Sequence, residues 1–327
     1  LVAEDFIPYD STKFVWARPQ MADINKGKRY AFRPESINIS LYRPFFKQYV
    51  YFNRQLNEMV YLMPKLFPTL DTENLVICVS GIGGTKEKTA IIANTIPDLN
   101  CLDSGTQCFP LYYYEDAPDT RVRITDAAQT SLFAVAEEEE TYSRRKDGVS
   151  DFILRTAKTQ YQRDDITKED IFYYVYGFLH SPAYRKTFSA DLKKMLPRLP
   201  LVEHYTDFAA FSKAGRALAD LHLHYENAPP CSAVVVTGAE SGNFRVEKMR
   251  FPKKDQKDTI IYNSSITLSN NPAKAYEYIV NGKSAIEWIM ERYQITVDKN
   301  SGIRNDPNDW AKEVGNPRYI LDLLLSV

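Results

Sequence analysis

The chain has few cysteines and histidines and almost no net charge. Its 327 residues include four cysteines and four histidines, and the formal net charge at pH 7 is −1. None of the cysteines forms a Cys-x-x-Cys pair, and a disulfide framework in a chain of this length would use more of them, so we expect reduced thiols. The charge also excludes a uniformly basic nucleic-acid binder, although it permits a local basic face.

Long apolar runs and targeting signals are absent as well. No segment approaches the roughly 20 apolar residues that a membrane helix needs, and the first residues show no basic-then-apolar signal pattern. We therefore expect a cytoplasmic chain without membrane contact. We interpret the start at Leu1 as the middle of a longer polypeptide, trimmed at a domain boundary.

One glycine-rich loop invites a phosphate-binding interpretation, which its spacing does not support. The loop reads GIGGTK from Gly81 to Lys86. A P-loop needs Gly-Lys-Ser/Thr at its end, and a dinucleotide fingerprint needs a third glycine where Lys86 stands. The sequence predicts a tight turn between two strands instead.

Catalytic and metal-binding patterns are also missing. His222 and His224 are two residues apart on a predicted helix, whereas a helical zinc site uses positions i and i+4. There is no Gly-x-Ser-x-Gly elbow, no Asn-Pro-Pro-Tyr-type tetrapeptide to hold a flipped base, and no glycine-rich turn for a methyl donor. We expect no catalytic residue and no metal or cofactor site in this chain.

The hydrophobic pattern predicts an α+β fold: a mixed β-sheet region, a helical block in the middle and a C-terminal helical segment. Predicted strands and helices do not alternate regularly, which argues against a doubly wound sheet. The predicted strands cover residues 37–42, 49–53, 75–80, 88–93, 109–114, 233–237, 243–249 and 259–262. The predicted helices begin after Thr167, at Pro182, and near residues 207, 284 and 318.

We predict three parts along the chain. Residues 1–133 form a β-rich N-terminal part, and residues 134–166 form a linker or surface connection with the acidic run Glu137–Glu140. Residues 167–327 hold the helical block and a C-terminal α/β part of the same module.

Several phrases together resemble a known family. The most distinctive is DIFYYVYGFLHSPAYR at 170–185; the others are YRPF at 42–45, YFN at 51–53, FPLY at 109–112, DLKKMLPRLPL at 191–201, YIVNGKS at 278–284 and DKNSGIRNDPN at 298–308. This set resembles the C-terminal specificity region of type I single-polypeptide (type ISP) restriction–modification enzymes and fused adenine-N6 DNA methyltransferases. The resemblance spans roughly residues 37–310.

The resemblance implies a bacterial, cytoplasmic parent that joins a nuclease, an ATP-driven translocase, an adenine-N6 methyltransferase and a target-recognition domain. It implies that this chain reads a short asymmetric site in double-stranded DNA and presents an adenine to the upstream methyltransferase domain. S-adenosylmethionine, ATP and Mg²⁺ would then belong to upstream domains. The alternatives are that the chain is part of the methyltransferase itself, or a structural domain that docks onto it.

Local charge supplies the candidate DNA-binding residues. From Arg245 to Lys257 the chain has six basic residues against two acidic ones, and we predict a strand with alternating basic side chains and a basic turn there. An ordinary solvated hairpin is an equally good interpretation, and the 302–308 phrase is interpreted first as a rigid turn. The candidate DNA contacts are Arg43, Lys47, Arg54, Lys86, Lys88, Arg245, Lys248, Arg250, Lys253, Arg304 and Asn305.

Overall fold

A computed structural model describes residues 18–116, 142–300 and 302–327 of the chain. Short strands and helices alternate irregularly in these ranges, and the α+β class predicted from the sequence is confirmed. The strands up to the helical block are β1 (Ile37–Arg43), β2 (Phe46–Tyr51), β3 (Val76–Val79), β4 (Ala90–Ala93), β5 (Ile96–Pro97), β6 (Gln107–Pro110), β7 (Tyr112–Asp116) and β8 (Tyr142–Asp147).

The helices of the chain vary from one turn to five turns in length. They are α1 (Arg18–Asn25), α2 (Met63–Leu66), α3 (Asp151–Tyr161), α4 (Lys168–Leu179), α5 (Pro182–Thr187), α6 (Ser189–Leu192), α7 (Tyr205–Leu223), α8 (Ala285–Arg292), α9 (Asn308–Glu313) and α10 (Tyr319–Ser326). None of the helices in the described ranges is long and apolar enough to span a bilayer.

The remaining strands are short and lie in the C-terminal part. They are β9 (Val235–Thr237), β10 (Ile260–Ile261), β11 (Thr267–Ser269), β12 (Ile279–Val280), β13 (Lys283–Ser284), β14 (Thr296–Val297) and β15 (Arg304–Asn305). They form a sheet in the order β10-β11-β9 and two hairpins, β12–β13 and β14–β15.

Strand β3 lies at the centre of the molecule because both of its faces are covered. It is the middle strand of the antiparallel sheet β4-β3-β6, and all four of its residues are buried. Alternation along the strand sends Val76 and Cys78 into one hydrophobic cluster and Ile77 and Val79 into another. The first cluster contains C-terminal residues such as Ile289, so the N-terminal sheet and the C-terminal part share a core.

The other face of this sheet packs on the helical block. Thr167 caps α4, which begins after it as the sequence predicted, and Asp170 completes the cap by accepting from the Thr167 backbone amide. Helices α4 and α7 pack closely, because glycines occupy the contact point. A Cβ on Gly215 would lie 1.9 Å from the carbonyl oxygen of Tyr173, and one on Gly177 would lie 2.3 Å from that of Phe211.

Two buried stripes that the sequence predicts in this block are only partly right. The predicted stripes are Phe188, Leu192 and Met195 in the second helix and Phe208, Phe211, Leu218 and Leu221 in the third, of which Leu192 and Phe208 are buried. The second helix is broken at Phe188 into α5 and α6, and Phe188 and Met195 are exposed. In α7 the buried face runs through Phe208, Ser212, Gly215, Ala219 and His222, and Leu221 is exposed. The small residues on that face allow the close approach to α4, and Leu221 lies on the solvent side of the helix.

The predicted connection at 134–166 lies partly outside the described residues, including the acidic run Glu137–Glu140. Its remainder contains more regular structure than expected, because β8 pairs with β7 and α3 follows it. Ser150 caps α3 by accepting a hydrogen bond from the Ile153 amide. The division of the chain into three parts stays a prediction.

Candidate nucleic-acid interface

Two candidate arginines from distant segments meet at one carboxylate. The Oδ2 atom of Asp306 lies 2.6 Å from Nη2 of Arg245 and 3.4 Å from Nη2 of Arg304. Asp306 is almost buried, whereas the two guanidinium side chains keep 42% and 55% of their surface exposed. The carboxylate therefore fixes two arginines side by side at the surface and leaves part of each fork facing solvent.

Burial raises the pKa of Asp306, but hydrogen bonds from Asn308 and Arg245 outweigh it, so the pKa lies below its usual range. Asp306 thus stays charged at neutral pH. Its Oδ1 atom accepts from the Asn308 backbone amide at 3.1 Å, which completes the turn Asp306–Asn308.

The segment around Arg245 is not the strand that the sequence predicted. Between Asn243 and Met249 the backbone is irregular, and only Arg250 pairs with Ile261 in an isolated bridge. The reason is that side chains take up its backbone groups. Asn308 bonds both the amide and the carbonyl of Val246, and Nδ2 of Asn263 donates to the carbonyl of Arg245.

The other basic residues of this segment are more available. Lys248, Arg250 and Lys253 are exposed, and none forms an ion pair with another residue of the described ranges. Lys257 differs, because its ammonium group lies 2.7 Å from Oε1 of Glu287 at the start of α8. The free charge of the 245–257 segment therefore concentrates on residues 248–254.

Arg43 and Lys47 are held inside the fold. Arg43 bonds Asp98 at 2.7 Å and lies over the Tyr42 ring, with 17% of its side chain exposed. Lys47 lies 2.5 Å from Oε2 of Glu226 and has 19% of its side chain exposed. Arg54 is exposed on the segment after β2. The first two residues link β1 and β2 to neighbouring parts rather than offering free charge.

The glycine-rich loop already contains an anion, the carboxylate of Asp103. Its Oδ2 atom accepts from the amides of Thr85 at 2.9 Å and Lys86 at 3.1 Å. These bonds lower the pKa of Asp103, with the Lys86 amide as the largest cause. The loop is a turn between β3 and β4, as predicted, and its amides do not fit a nucleotide phosphate because Asp103 occupies them.

The two loop lysines differ in availability. Lys88 donates to the carbonyl of Gly81 at 2.7 Å, and burial lowers its pKa. Lys86 is exposed, and its stem packs on the Asn281–Gly282 turn, where a Cβ on Gly282 would lie 3.3 Å from Cδ of Lys86. Lys86 is thus the loop residue that can offer charge to a ligand.

Two of the four histidines, His180 and His222, lie in a network with Tyr176 and Tyr278. His222 is buried and its Nδ1 lies 2.5 Å from the Tyr176 hydroxyl, while His224 is exposed, so the two point to different sides as predicted. Burial, with a smaller contribution from His180, lowers the pKa of His222 to about 3. No group of three or more possible metal ligands occurs among the described residues.

Comparison with known proteins places this arrangement in a family. Residues 2–323 match the family model described as the Type ISP C-terminal specificity domain. The chain belongs to this family. No match is found among curated proteins.

Solved structures similar to this specificity domain come from larger enzymes. The Type ISP restriction–modification enzyme LlaBIII bound to DNA is 36% identical over 95% of this chain, with a TM-score of 0.81. A nuclease-deletion mutant of the Type ISP enzyme LlaGI with a DNA substrate mimic is 38% identical over 98%, with a TM-score of 0.78. The DrdV–DNA complex is 30% identical over 95%, with a TM-score of 0.77. The chain covers 19%, 26% and 29% of these proteins.

Sequence reasoning missed the residues that organise the specificity domain's basic segment. Asp306 and Asn308 position Arg245, Arg304 and Val246. The available signal was the Asn-Asp-Pro-Asn run, which predicts side-chain-to-backbone bonding without saying which distant segment receives it.

Proposed function

We propose that this specificity domain reads a short asymmetric site in double-stranded DNA and positions an adenine for methylation by another domain of a longer, cytoplasmic polypeptide. The observation that carries the proposal is its likeness, along 95% of its length, to an enzyme whose structure was solved bound to DNA. The chain is only 19% of that enzyme, so nuclease, translocase and methyl-transfer chemistry are assigned to other domains.

The charges of the 243–254 segment support a role in binding DNA. Lys248, Arg250 and Lys253 are exposed without ion pairs in the described ranges, and Arg245 and Arg304 share the single carboxylate Asp306. Lysines suit phosphate as point charges, while a guanidinium can bond the O6 and N7 atoms of guanine in the major groove. We assign base reading to the arginines of this segment and phosphate contacts to its lysines.

The cofactors of the parent enzyme belong elsewhere in this proposal. The Thr85 and Lys86 amides of the loop at Gly81–Lys86 already donate to Asp103, so the loop offers no site for the phosphates of ATP. For S-adenosylmethionine, which has no phosphate, the sequence shows no glycine-rich turn of the kind that holds a methyl donor. Titration calorimetry of the chain with S-adenosylmethionine is expected to give no heat of binding. A measurable heat would instead favour a chain that contains part of the methyl-transfer site.

Selection from a pool of duplexes with randomised central positions tests the proposal directly. We expect repeated binding and amplification to enrich one short asymmetric sequence, and binding to weaken steeply as salt rises. A pool that stays random, or no duplex binding at low salt, would overturn it.

A double variant, Arg245→Ala with Arg250→Ala, tests the assigned segment. We expect it to bind the selected sequence roughly tenfold or more weakly, while its affinity for unselected duplex changes less, because lost base contacts act on discrimination. Arg29→Ala with Arg155→Ala serves as the matched control, because both arginines are exposed and neither is a candidate DNA contact. Unchanged discrimination in the double variant would remove the segment from the base-reading interface.

A further inference from the structure

A second basic surface lies where the glycine-rich loop meets helices α5 and α6. It is outside the 245–257 segment and is formed by exposed lysines from two distant stretches of sequence. We call it the loop–helix surface and define it by Lys86, Lys186, Lys193 and Lys194.

Direct contacts join the two stretches. The amide of Gly83 donates to the carbonyl of Lys193 at 3.3 Å. Nη2 of Arg185 lies 3.8 Å from Oε2 of Glu87. The loop itself is fixed by Asp103, and a Cβ on Gly81 would lie 1.8 Å from the Ser104 carbonyl oxygen, so the loop packs tightly on the 103–105 turn. The lysines therefore sit on a preorganised support.

The charge of this region is strongly positive although the whole chain carries −1. Residues 86–88, 103 and 185–198 contain seven basic side chains and three acidic ones. Two of the acids are engaged, Asp103 by loop amides and Glu87 by Arg185. The four lysines that define the surface form no ion pair with any other described residue.

We propose that the loop–helix surface contacts the phosphate backbone of duplex DNA without reading its sequence. This inference rests on the proposed DNA-binding function and assigns to it a second contact area, separate from the base-reading segment. Exposed lysines without ion pairs break no existing bond when they approach phosphate. Each phosphate that they neutralise releases counterions, which favours binding. The four lysines offer point charges, which suit contacts to phosphate better than the recognition of base edges.

A protein face is the competing partner, because Ile82, Phe188 and Met195 are exposed on the same elements. Such a face would need acidic groups to match the lysines, whereas DNA supplies one negative charge for every phosphate. The four lysines form no ion pair within the described ranges, which leaves their charge available and favours DNA. The two partners also predict different results for the isolated chain. If the surface contacts DNA, replacing the lysines weakens duplex binding even when no other protein is present, whereas a protein-binding face leaves duplex binding unchanged.

The test is a salt series of duplex binding by the 327-residue chain and three triple variants. Fluorescence anisotropy with a mixed-sequence duplex, between about 50 and 200 mM salt, gives the slope of log K against log salt. For Lys186→Ala, Lys193→Ala and Lys194→Ala together, we expect about tenfold weaker binding and a slope flatter by about 0.9 for each lost phosphate contact. Selected and unselected duplexes should lose affinity equally.

Two matched variants make the result specific. Replacing the same three lysines with arginine keeps the charge and should preserve binding. Replacing Lys26, Lys158 and Lys213 with alanine removes the same charge from α1, α3 and α7, and should change the slope little; none of these has an ion pair in the described ranges. Circular dichroism melting checks that each variant is folded.

Each outcome has a definite meaning. If the unaltered chain binds no duplex at low salt, the proposed function fails, and this inference fails with it. If it binds and the alanine triple variant keeps its slope, only the loop–helix surface is removed from the DNA interface. An equal loss in the arginine variant or in the control triple would also overturn the inference, because charge at this surface would not be the cause.

Discussion

Asn308 holds Val246 by both of its backbone groups. The Oδ1 atom of Asn308 accepts from the Val246 amide at 2.9 Å, and its Nδ2 donates to the Val246 carbonyl at 2.7 Å. All four groups lie in buried surroundings, so water cannot replace them easily. One side chain thus does for the basic segment what a neighbouring strand would do in a sheet.

Replacing Asn308 with alanine is expected to destabilise the protein by about 2–3 kcal/mol, because it leaves a buried amide and a buried carbonyl without partners. Urea unfolding followed by circular dichroism measures this change. Asn305→Ala, at an exposed position of the neighbouring strand β15, should stay within about 0.5 kcal/mol of the unaltered chain. Equal effects of the two substitutions would show that the hydrogen bonds to Val246 do not stabilise the fold.

Gly215→Ala is expected to destabilise the protein by about 2 kcal/mol, although alanine has the higher helix propensity. The added Cβ would lie 1.9 Å from the Tyr173 carbonyl oxygen, so α4 and α7 must separate. Ala214→Ser enlarges a neighbouring exposed residue of α7 and should have little effect. Thermal melting compares the two, and an unchanged melting temperature for Gly215→Ala would refute the close contact.

The buried histidines predict a loss of stability in mild acid. Burial lowers the pKa of His222 from 6.5 to about 3 and also lowers the pKa of His180. In the unfolded chain each imidazole takes up a proton near pH 6.5, whereas in the folded chain it stays neutral. The free energy of unfolding therefore keeps its full value above pH 6.5 and falls as the pH drops toward the folded-state pKa. Between about pH 7.5 and pH 5, His222 alone should account for a loss of about 2 kcal/mol.

His222→Gln tests this assignment, because glutamine still offers the Tyr176 hydroxyl a partner but does not titrate. Urea unfolding at the two pH values should show a pH dependence smaller by about 2 kcal/mol in this variant. His224→Gln, at an exposed position on the same helix end, should keep the dependence of the unaltered chain. If His222→Gln keeps it too, the acid sensitivity comes from other groups.

Arg43 and Lys86 should respond in opposite ways to alanine substitution. Arg43 is largely buried against Asp98, so Arg43→Ala should cost about 1–3 kcal/mol of stability, between the ranges for exposed and buried ion pairs. It should leave the salt slope of DNA binding unchanged. Lys86→Ala should change stability by less than about 0.5 kcal/mol and flatten the slope by about 0.9. A flatter slope for Arg43→Ala would show that an ion pair inside the fold does not keep a basic residue from contacting DNA.

Much of the fold could be predicted where local chemistry decides the structure. The helix starts after Thr167 and near residue 284 and the apolar run of β3 each depend on a few neighbouring residues, and the structure has a helix or a strand at each of these places. The failure of the glycine-rich loop to match a phosphate motif also follows from spacing alone. These features depend on neighbours in the sequence, which the sequence displays directly.

The candidate interface could be predicted only as a set of charges. Composition indicates that residues 245–257 are basic, but both a strand and a solvated turn fit that pattern. The predicted strand fails because Asn263 and Asn308, which lie far along the chain, take its backbone hydrogen bonds. Likewise, nothing near Arg43 or Lys47 in sequence announces the partners Asp98 and Glu226 that engage them.

The sequence by itself determined the α+β class, the absence of a recognisable catalytic motif and, through its characteristic phrases, the family. The tertiary structure decided which basic residues keep free charge, because ion pairs form between side chains that folding brings together. It also brought Gly83 of the glycine-rich loop to Lys193 at the end of α6, two residues that are more than one hundred positions apart in the sequence. Periodicity and capping are local and can be read from one stretch of chain, whereas electrostatic availability depends on every segment packed around a charge.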